Sequence, residues 1–454
     1  KNFECAVQVH ASPPDLNLMQ TLVFLLSFLA CTGWRKVHMT DVPAQSSHSS
    51  LESAAPNRLK VIANLLMSFQ SAVVPTRSAD VSQTALREVP VSYQRLVAAA
   101  AGESVRDVAV LQEEETQEPK EGEVLVQVMV AGINGGCETF RARAEAAFKG
   151  LKNVSNYKLG SEGAGVVLKA GEGADLQPGD AVAFVGSALS ELDAVKATSC
   201  HRIGRAADLE AAQFREATAL RISGLTALVA LELTGQVRQG QTILITAAAG
   251  GTGHFGVQIA KLNGAKVIAT CSTEEKAKLL RELGADRVVL YKQEDLSEVL
   301  ATEFPEGLDL VYEGVGGQLH STALAHLKEG GRQLQVGYIS HYPQAADGDA
   351  TSPDQGKTLG DAFWSGKKWE LDGNRTVFFN VWEGMRWLSE DYVKTHGKPL
   401  ERLYNLWSAG DLRAIVDPKE FVGLEQAGAA VEYMMSGTST GKVVLDIPAP
   451  THDK

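Results

Sequence analysis

The stretch TAAAGGTGHFG, residues 246–256, constrains the fold of this chain more than any other. It follows an apolar run, TILITA, that reads as a β-strand, and it opens HFGVQIAKLNG, which has the apolar spacing of a helix. Gly251, Gly253 and Gly256 stand on the G-x-G-x-x-G spacing. Strand, glycine turn and helix N-terminus in that order make a cradle for a pyrophosphate, because backbone N–H groups and the positive end of the helix dipole face the anion. In this reading Gly251 permits the tight turn, Gly253 lets the phosphate approach and Gly256 lets the helix pack on the strand. A glycine turn without a ligand is the plain alternative, and the flanking strand and helix argue against it.

The sequence beyond the turn keeps the same rhythm. KVIATC, DRVVLY and LDLVYEGV read as strands, with EEKAKLLRELG and other helical stretches between them. That alternation predicts a parallel, doubly wound α/β sheet. Before Gly224 the texture is different. GEVLVQVMVAGIN (122–134) alternates like a half-buried strand, and residues 160–186 are short strands broken by Gly and by the turn QPGD, as in a small twisted β-domain. Residues 341–374 read as a long polar loop, and the tail from Asn380 returns to helix and then to the strand GKVVLDIP. With 454 residues the chain is too long for one core, so two or more domains are expected.

Residues 1–57 form an N-terminal extension with a hydrophobic segment at 16–34, LNLMQTLVFLLSFLACTGW. Its length suits a targeting h-region or an anchor or buried helix, and the two readings stay open. Residues 38–57 are a Ser-rich linker, and RLKVIANLLMSFQ (58–70) has the spacing of an amphipathic helix. Localisation is therefore left between an organelle or membrane and the cytoplasm, and the ending PTHDK lacks a peroxisomal address.

Charge and cysteine content exclude several classes. A net charge of −12 argues against a nucleic-acid binder. The five cysteines are scattered, which argues against a disulfide framework and excludes a zinc site of four clustered cysteines. The second strand of the sheet ends in Cys271, Ser272 and Thr273, where an NAD site would carry Asp or Glu. A hydroxyl-bearing end with Lys276 one turn on suits a 2′-phosphate, so NADPH is the expected cofactor. A solvated helix residue is the other reading of Lys276.

The run from Ile245 to Asp286, with DLVYEGVGG (309–317), VGYISHY (336–342), VFFN (377–380) and residues 421–448, resembles the medium-chain dehydrogenases/reductases of the zinc-independent quinone reductase and prostaglandin reductase branch. The resemblance covers about Tyr93 to Pro448. It implies a GroES-like β-rich catalytic domain around a Rossmann domain. The expected boundaries are 58–91 for a helix and linker, 92–218 for the first catalytic part, 219–379 for the Rossmann NADP-binding domain and 380–454 for the return. It also implies a homodimer or a subunit of a larger assembly. No catalytic metal is expected, because Ser161 in GSEGAG stands where a zinc enzyme has His. Asn134 matches the family, but Cys137 replaces its Asp.

Carried over by residue, Gly250, Gly251, Thr252 and Gly253 would line the pyrophosphate. Ser272, Lys276 and Tyr291 would surround the 2′-phosphate, and Gly314, Val315, Phe378 and Phe379 would approach the nicotinamide ribose. Core packing for the two phenylalanines and a strand-end role for Tyr291 are the alternatives. Tyr342 would donate to the carbonyl oxygen of a conjugated ketone while hydride adds to the β-carbon, with Asn134 facing the same cleft. Tyr338 would shape the pocket. The small-molecule substrate is then a 15-keto-prostaglandin-like or other lipid-derived enone, or a quinone. A catalytically silent NADPH-binding module in a membrane-associated assembly is the competing reading, favoured by the unmatched N-terminus and by Cys137.

Overall fold

The computed structural model describes residues 88–102, 104–142, 156–342, 376–378, 385 and 388–450. The hydrophobic segment 16–34, the linker, the helix expected at 58–70, most of the loop expected at 341–374, and Phe379 lie outside the described residues.

The first lobe is antiparallel. Strands β1 (Ser92–Ala98), β2 (Ala109–Glu115), β3 (Glu123–Gly132), β4 (Tyr157–Lys158), β5 (Glu162–Ala170), β6 (Asp180–Val185), β7 (Leu192–Lys196) and β8 (Cys200–Arg205) precede the glycine turn. They form a three-stranded sheet, β2-β1-β4, and a larger one in which β3, β5, β6 and β8 are successive neighbours and β7 also pairs with β3. The expected half-buried strand is corrected here: β3 is buried along nearly its whole length. Its Val124, Val126 and Val128 enter one core and Val130 enters another, so both faces are covered. Gly165 on β5 has a physical reason, since a Cβ there would lie 2.0 Å from the Gln127 carbonyl oxygen.

The second lobe is parallel throughout its described strands. Strands β9 (Thr242–Ile245), β10 (Lys266–Cys271), β11 (Arg287–Leu290), β12 (Leu308–Glu313), β13 (Leu327–Gln335) and β14 (Thr376–Phe378) lie in the order β11-β10-β9-β12-β13-β14. Alternate residues supply two separate layers. Ile243, Ile245, Val267 and Ala269 pack with Phe255, Ile259 and Leu280 on one face, while Leu244, Ile268, Val289 and Val311 pack with Val299, Leu300 and Ala323 on the other. That double coverage explains why these strands are continuously apolar. The strand order reverses at β9, whose neighbours are β10 and β12, and ligands of such sheets bind beyond the strand ends at that switch.

Helix Ala211–Thr234 joins the lobes. It is the one described helix apolar and long enough to cross a membrane, and 83% of its most apolar stretch is buried inside the protein. It is a core helix. A π-helical turn at Leu220–Gly224 widens it where Ile222 and Ser223 meet the cleft. Late in the chain β15 (Val444–Asp446) pairs with β3, which closes the antiparallel lobe.

Candidate active site

The strand ends of the parallel sheet and the edge of the antiparallel lobe enclose a cavity of about 570 Å³. Its floor is the glycine turn. Ala247 takes the left-handed conformation that the turn demands, φ +45°, a role expected of Gly251. Gly250, Gly251 and Thr252 line the cavity. Gly253 does not line it. A Cβ on Gly253 would lie 2.4 Å from the Ala247 carbonyl oxygen, so this glycine admits the turn's own backbone rather than a ligand. Gly256 lies behind the cradle, where a Cβ would make ordinary contact with Ile245 and Tyr312. Helix Gly253–Leu262 begins at this point, and its first N–H groups lack intrahelical acceptors.

His254 ties the cradle to the returning chain. Its Nδ1 is 2.9 Å from the Gly250 carbonyl oxygen and its Nε2 is 3.1 Å from the Ile415 N–H. A carbonyl only accepts and an N–H only donates, so the ring is the neutral Nδ1–H tautomer. Burial drives its pKa down to about 4. An unfolded chain protonates a histidine near 6.5. Between those values the folded state binds fewer protons, so stability falls as pH drops from about 6.5 toward 4, by at most about 3 kcal/mol. Thermal midpoints from pH 7.5 to 4.5 should therefore fall more steeply for the wild type than for His254→Gln. Parallel curves would remove His254 from the acid response.

The cavity wall beyond the end of β10 is built by Cys271, Ser272, Lys276, Tyr291 and Gly437. Thr273 caps helix Glu274–Glu282 by accepting from the Lys276 N–H, and Lys276 Nζ donates to the Gly437 carbonyl at 2.8 Å. Burial lowers the pKa of Lys276. No Asp or Glu is among the described residues lining the cavity. Thr270 Oγ1 on the same wall is buried without a hydrogen-bond partner, a donor left for a polar ligand. Cradle, ammonium and orphan hydroxyl together fit a phosphorylated dinucleotide.

Beyond β12 the chain turns through Gly314 and Val315, both on the cavity wall. Glu313, fully buried, accepts from Thr246 Oγ1 at 3.0 Å, from the Val315 N–H at 2.8 Å and from the Gly316 N–H at 2.9 Å. Gln335 Nε2 donates to the same carboxylate and, at 2.5 Å, to the Gly337 carbonyl. The segment to Tyr342 hangs from this turn through Ile339 N–H to the Gly314 carbonyl and Ser340 N–H to the Val315 carbonyl. Tyr342 lines the cavity, with its hydroxyl so close to Gly136 that a Cβ there would lie 2.9 Å away. Tyr338, almost fully buried, packs edge-on against Tyr342 with ring centroids 4.9 Å apart.

Asn134 lines the cavity opposite the cradle. Its Nδ2 donates to Glu162 Oε1 at 2.7 Å and its Oδ1 accepts from Lys442 Nζ at 2.8 Å. Ser161 faces elsewhere and donates to Glu138 at 3.0 Å. Among the described residues no three His, Cys, Asp or Glu side chains are grouped as metal ligands. The backbone of Cys137 lies in helix Gly135–Ala142. The backbone of Phe378 pairs with Gln335 on β14.

The site thus gathers Asn134, Gly250, Gly251, Thr252, Ser272, Lys276, Tyr291, Gly314, Val315 and Tyr342 around one space. It does not place Gly253 or Gly256 on that space. Sequence reasoning misses Lys442, Glu162, Glu313 and His254. The only signal for the first three is a charge standing alone in an apolar strand pattern.

A phosphate cradle at the switch point of a doubly wound sheet, facing an antiparallel lobe, defines a two-lobed dehydrogenase or reductase. A family model described as zinc-binding dehydrogenase matches residues 251–369. Prostaglandin reductase-3 of Mus musculus is 33% identical over 377 residues, covering 81% of this chain and 92% of the relative. A probable quinone oxidoreductase of Leishmania amazonensis is 32% identical over 364 residues, covering 79% and 99%. The fold matches that of Escherichia coli quinone oxidoreductase complexed with NADPH, with TM-score 0.61 and 24% identity over 78% of this chain and 99% of that one. This chain belongs to the medium-chain dehydrogenase/reductase superfamily, in its zinc-independent quinone and prostaglandin reductase branch, and is an NADP(H)-linked oxidoreductase.

Proposed function

We propose that the protein reduces a carbon–carbon double bond conjugated to a carbonyl, in a lipid-derived enone or a 15-keto-prostaglandin-like substrate, or reduces a quinone. The observation that carries this is one continuous cavity. It joins a carboxylate-free corner holding Ser272, Lys276 and Tyr291 to a far end holding Asn134 and Tyr342. In this reading Lys276 and Ser272 hold the 2′-phosphate, and Gly250, Gly251 and Thr252 cradle the pyrophosphate. Gly314 and Val315 border the nicotinamide. NADPH bound there would supply a hydride to the β-carbon of the enone, and the α-carbon would take its proton from water or through Tyr342. The residues of the chain orient the carbonyl and meet the charge that develops on its oxygen, through the Tyr342 hydroxyl and the Asn134 amide. Tyr338 and Gly136 hold the Tyr342 ring from two sides.

The test is NADPH oxidation by the full chain with a 15-keto prostaglandin, a medium-chain enone and a quinone, and with NADH as control. Turnover with NADPH is expected, and Tyr342→Phe should lower kcat by about 100-fold. Undiminished kcat in that variant removes Tyr342 from the chemistry. NADPH binding with no acceptor reduced overturns the reductase reading and leaves a binding module.

A further inference from the structure

Four polar side chains from four separate segments meet beside the cavity. Lys442 Nζ donates to Asn134 Oδ1 at 2.8 Å, to Glu162 Oε1 at 2.7 Å and to Ser223 Oγ at 3.4 Å. The Lys442 and Glu162 side chains are 3% and 0% exposed, so the ion pair is closed off from water. The second oxygen of Glu162 accepts from the Ile222 N–H at 2.6 Å, in the π-helical turn of the helix between the lobes. Gly132 leaves room for the carboxylate, since a Cβ there would lie 2.7 Å from Glu162 Oε1.

This arrangement decides which way the Asn134 amide points. Its oxygen faces an ammonium and its nitrogen faces a carboxylate. A half-turn of the amide would set N–H₂ against the ammonium and C=O against the carboxylate, two repulsive contacts in a dry site. One amide hydrogen is taken by Glu162, which leaves the second for a side chain that itself lines the cavity. Lys442 also reaches the cofactor side, because a Cβ on Gly251 would lie 3.6 Å from Lys442 Cδ. The adjacent Gly441 N–H donates to the Ala249 carbonyl at 2.7 Å, so the segment carrying Lys442 is docked on the glycine turn itself.

We infer that Lys442 and Glu162 are positioning residues that hold the Asn134 amide with an N–H toward the substrate carbonyl, in register with the cofactor cradle. This rests on the reductase reading above. Glu162 is not among the described residues lining the cavity, and Lys442 borders it with its ammonium turned onto Asn134, Glu162 and Ser223. A purely structural pair would serve stability alone, and the two roles separate experimentally.

The experiment compares wild type, Lys442→Met, the double variant Glu162→Gln/Lys442→Met, Asn134→Ala and Asn134→Ala/Lys442→Met. Each is assayed with the panel acceptor that the wild type reduces fastest, and thermal midpoints and NADPH affinity are measured alongside. Lys442→Met is expected to lower kcat by about 100-fold with NADPH affinity changed less than about threefold. In the double variant, both charges are gone and packing is kept. Its thermal midpoint should recover toward wild type while kcat stays low, because a neutral amide at position 162 no longer dictates the orientation of Asn134. Adding Lys442→Met to Asn134→Ala should cost no further kcat, since the lysine acts through the asparagine. Recovery of kcat with stability, or additive losses with Asn134→Ala, overturns the inference and leaves the reductase reading intact. Absence of turnover in the wild type overturns both.

Discussion

Glu313→Leu is expected to lower the thermal midpoint by on the order of 10 °C and to abolish most turnover. The carboxylate is fully buried and accepts from the Thr246 hydroxyl, the Val315 and Gly316 N–H groups and the Gln335 amide. Its partners are thus neutral donors. Leucine fills the volume and strands those donors in a site that water does not reach. At about 1–3 kcal/mol for each stranded donor, the loss is a large part of a typical domain's stability. The loss is also local. The Gly314–Gly316 turn and the segment leading to Tyr342 are both anchored through Glu313 and Gln335, so kcat should fall even at temperatures where the variant stays folded. Glu313→Gln keeps one accepting oxygen and should sit between the two. A Leu variant melting within about 1 °C of wild type would show that the turn is held by something else.

Lys276→Glu is expected to weaken NADPH binding by roughly 100-fold while changing NADH binding little, as a charge-assisted contact worth about 3 kcal/mol is lost. The cavity wall around it carries Ser272 and Tyr291 and no carboxylate among the described residues, so the ammonium is the charge that a 2′-phosphate would meet there. Titrating both cofactors by nicotinamide fluorescence separates this from general damage. Equal loss for the two would mean that Lys276 supports the fold through Gly437 and does not read the phosphate.

The features legible from sequence are those in which cause and consequence lie close together along the chain. A strand, a glycine turn and a helix follow one another without interruption, and β9, β10 and helix Gly253–Leu262 lie where the pattern puts them. The missing carboxylate after β10 is readable because it concerns one strand end. Other features depend on partners that periodicity does not encode. Glu162 and Lys442 are 280 residues apart, and each looks alone like a charge at a strand margin. Ala247 adopts the left-handed turn that a glycine was expected to take, because the surrounding backbone bonds fix it there. The double burial of β3 depends on the core helix Ala211–Thr234 packing over it, which no alternation within β3 reports. Glu313 accepts from the backbone just beyond it and from the side chains of Thr246 and Gln335, a use of a carboxylate that leaves no mark in composition.

The pairing of Asn134 with Lys442 spans 308 residues, and it sets an order of events during synthesis. The ribosome delivers the whole parallel sheet, with its cradle, before it delivers β15 or the lysine. Until then the Val130–Gly132 end of β3 lacks its final neighbour, and Glu162 lies in an unfinished wall without its ion-pair partner. An unpaired strand edge in a slowly completed sheet is exposed to pairing with other chains. A chain released even a few codons short of residue 442 would have its nucleotide lobe but no closed site, and the same segment that completes the antiparallel lobe would be the one that licenses activity.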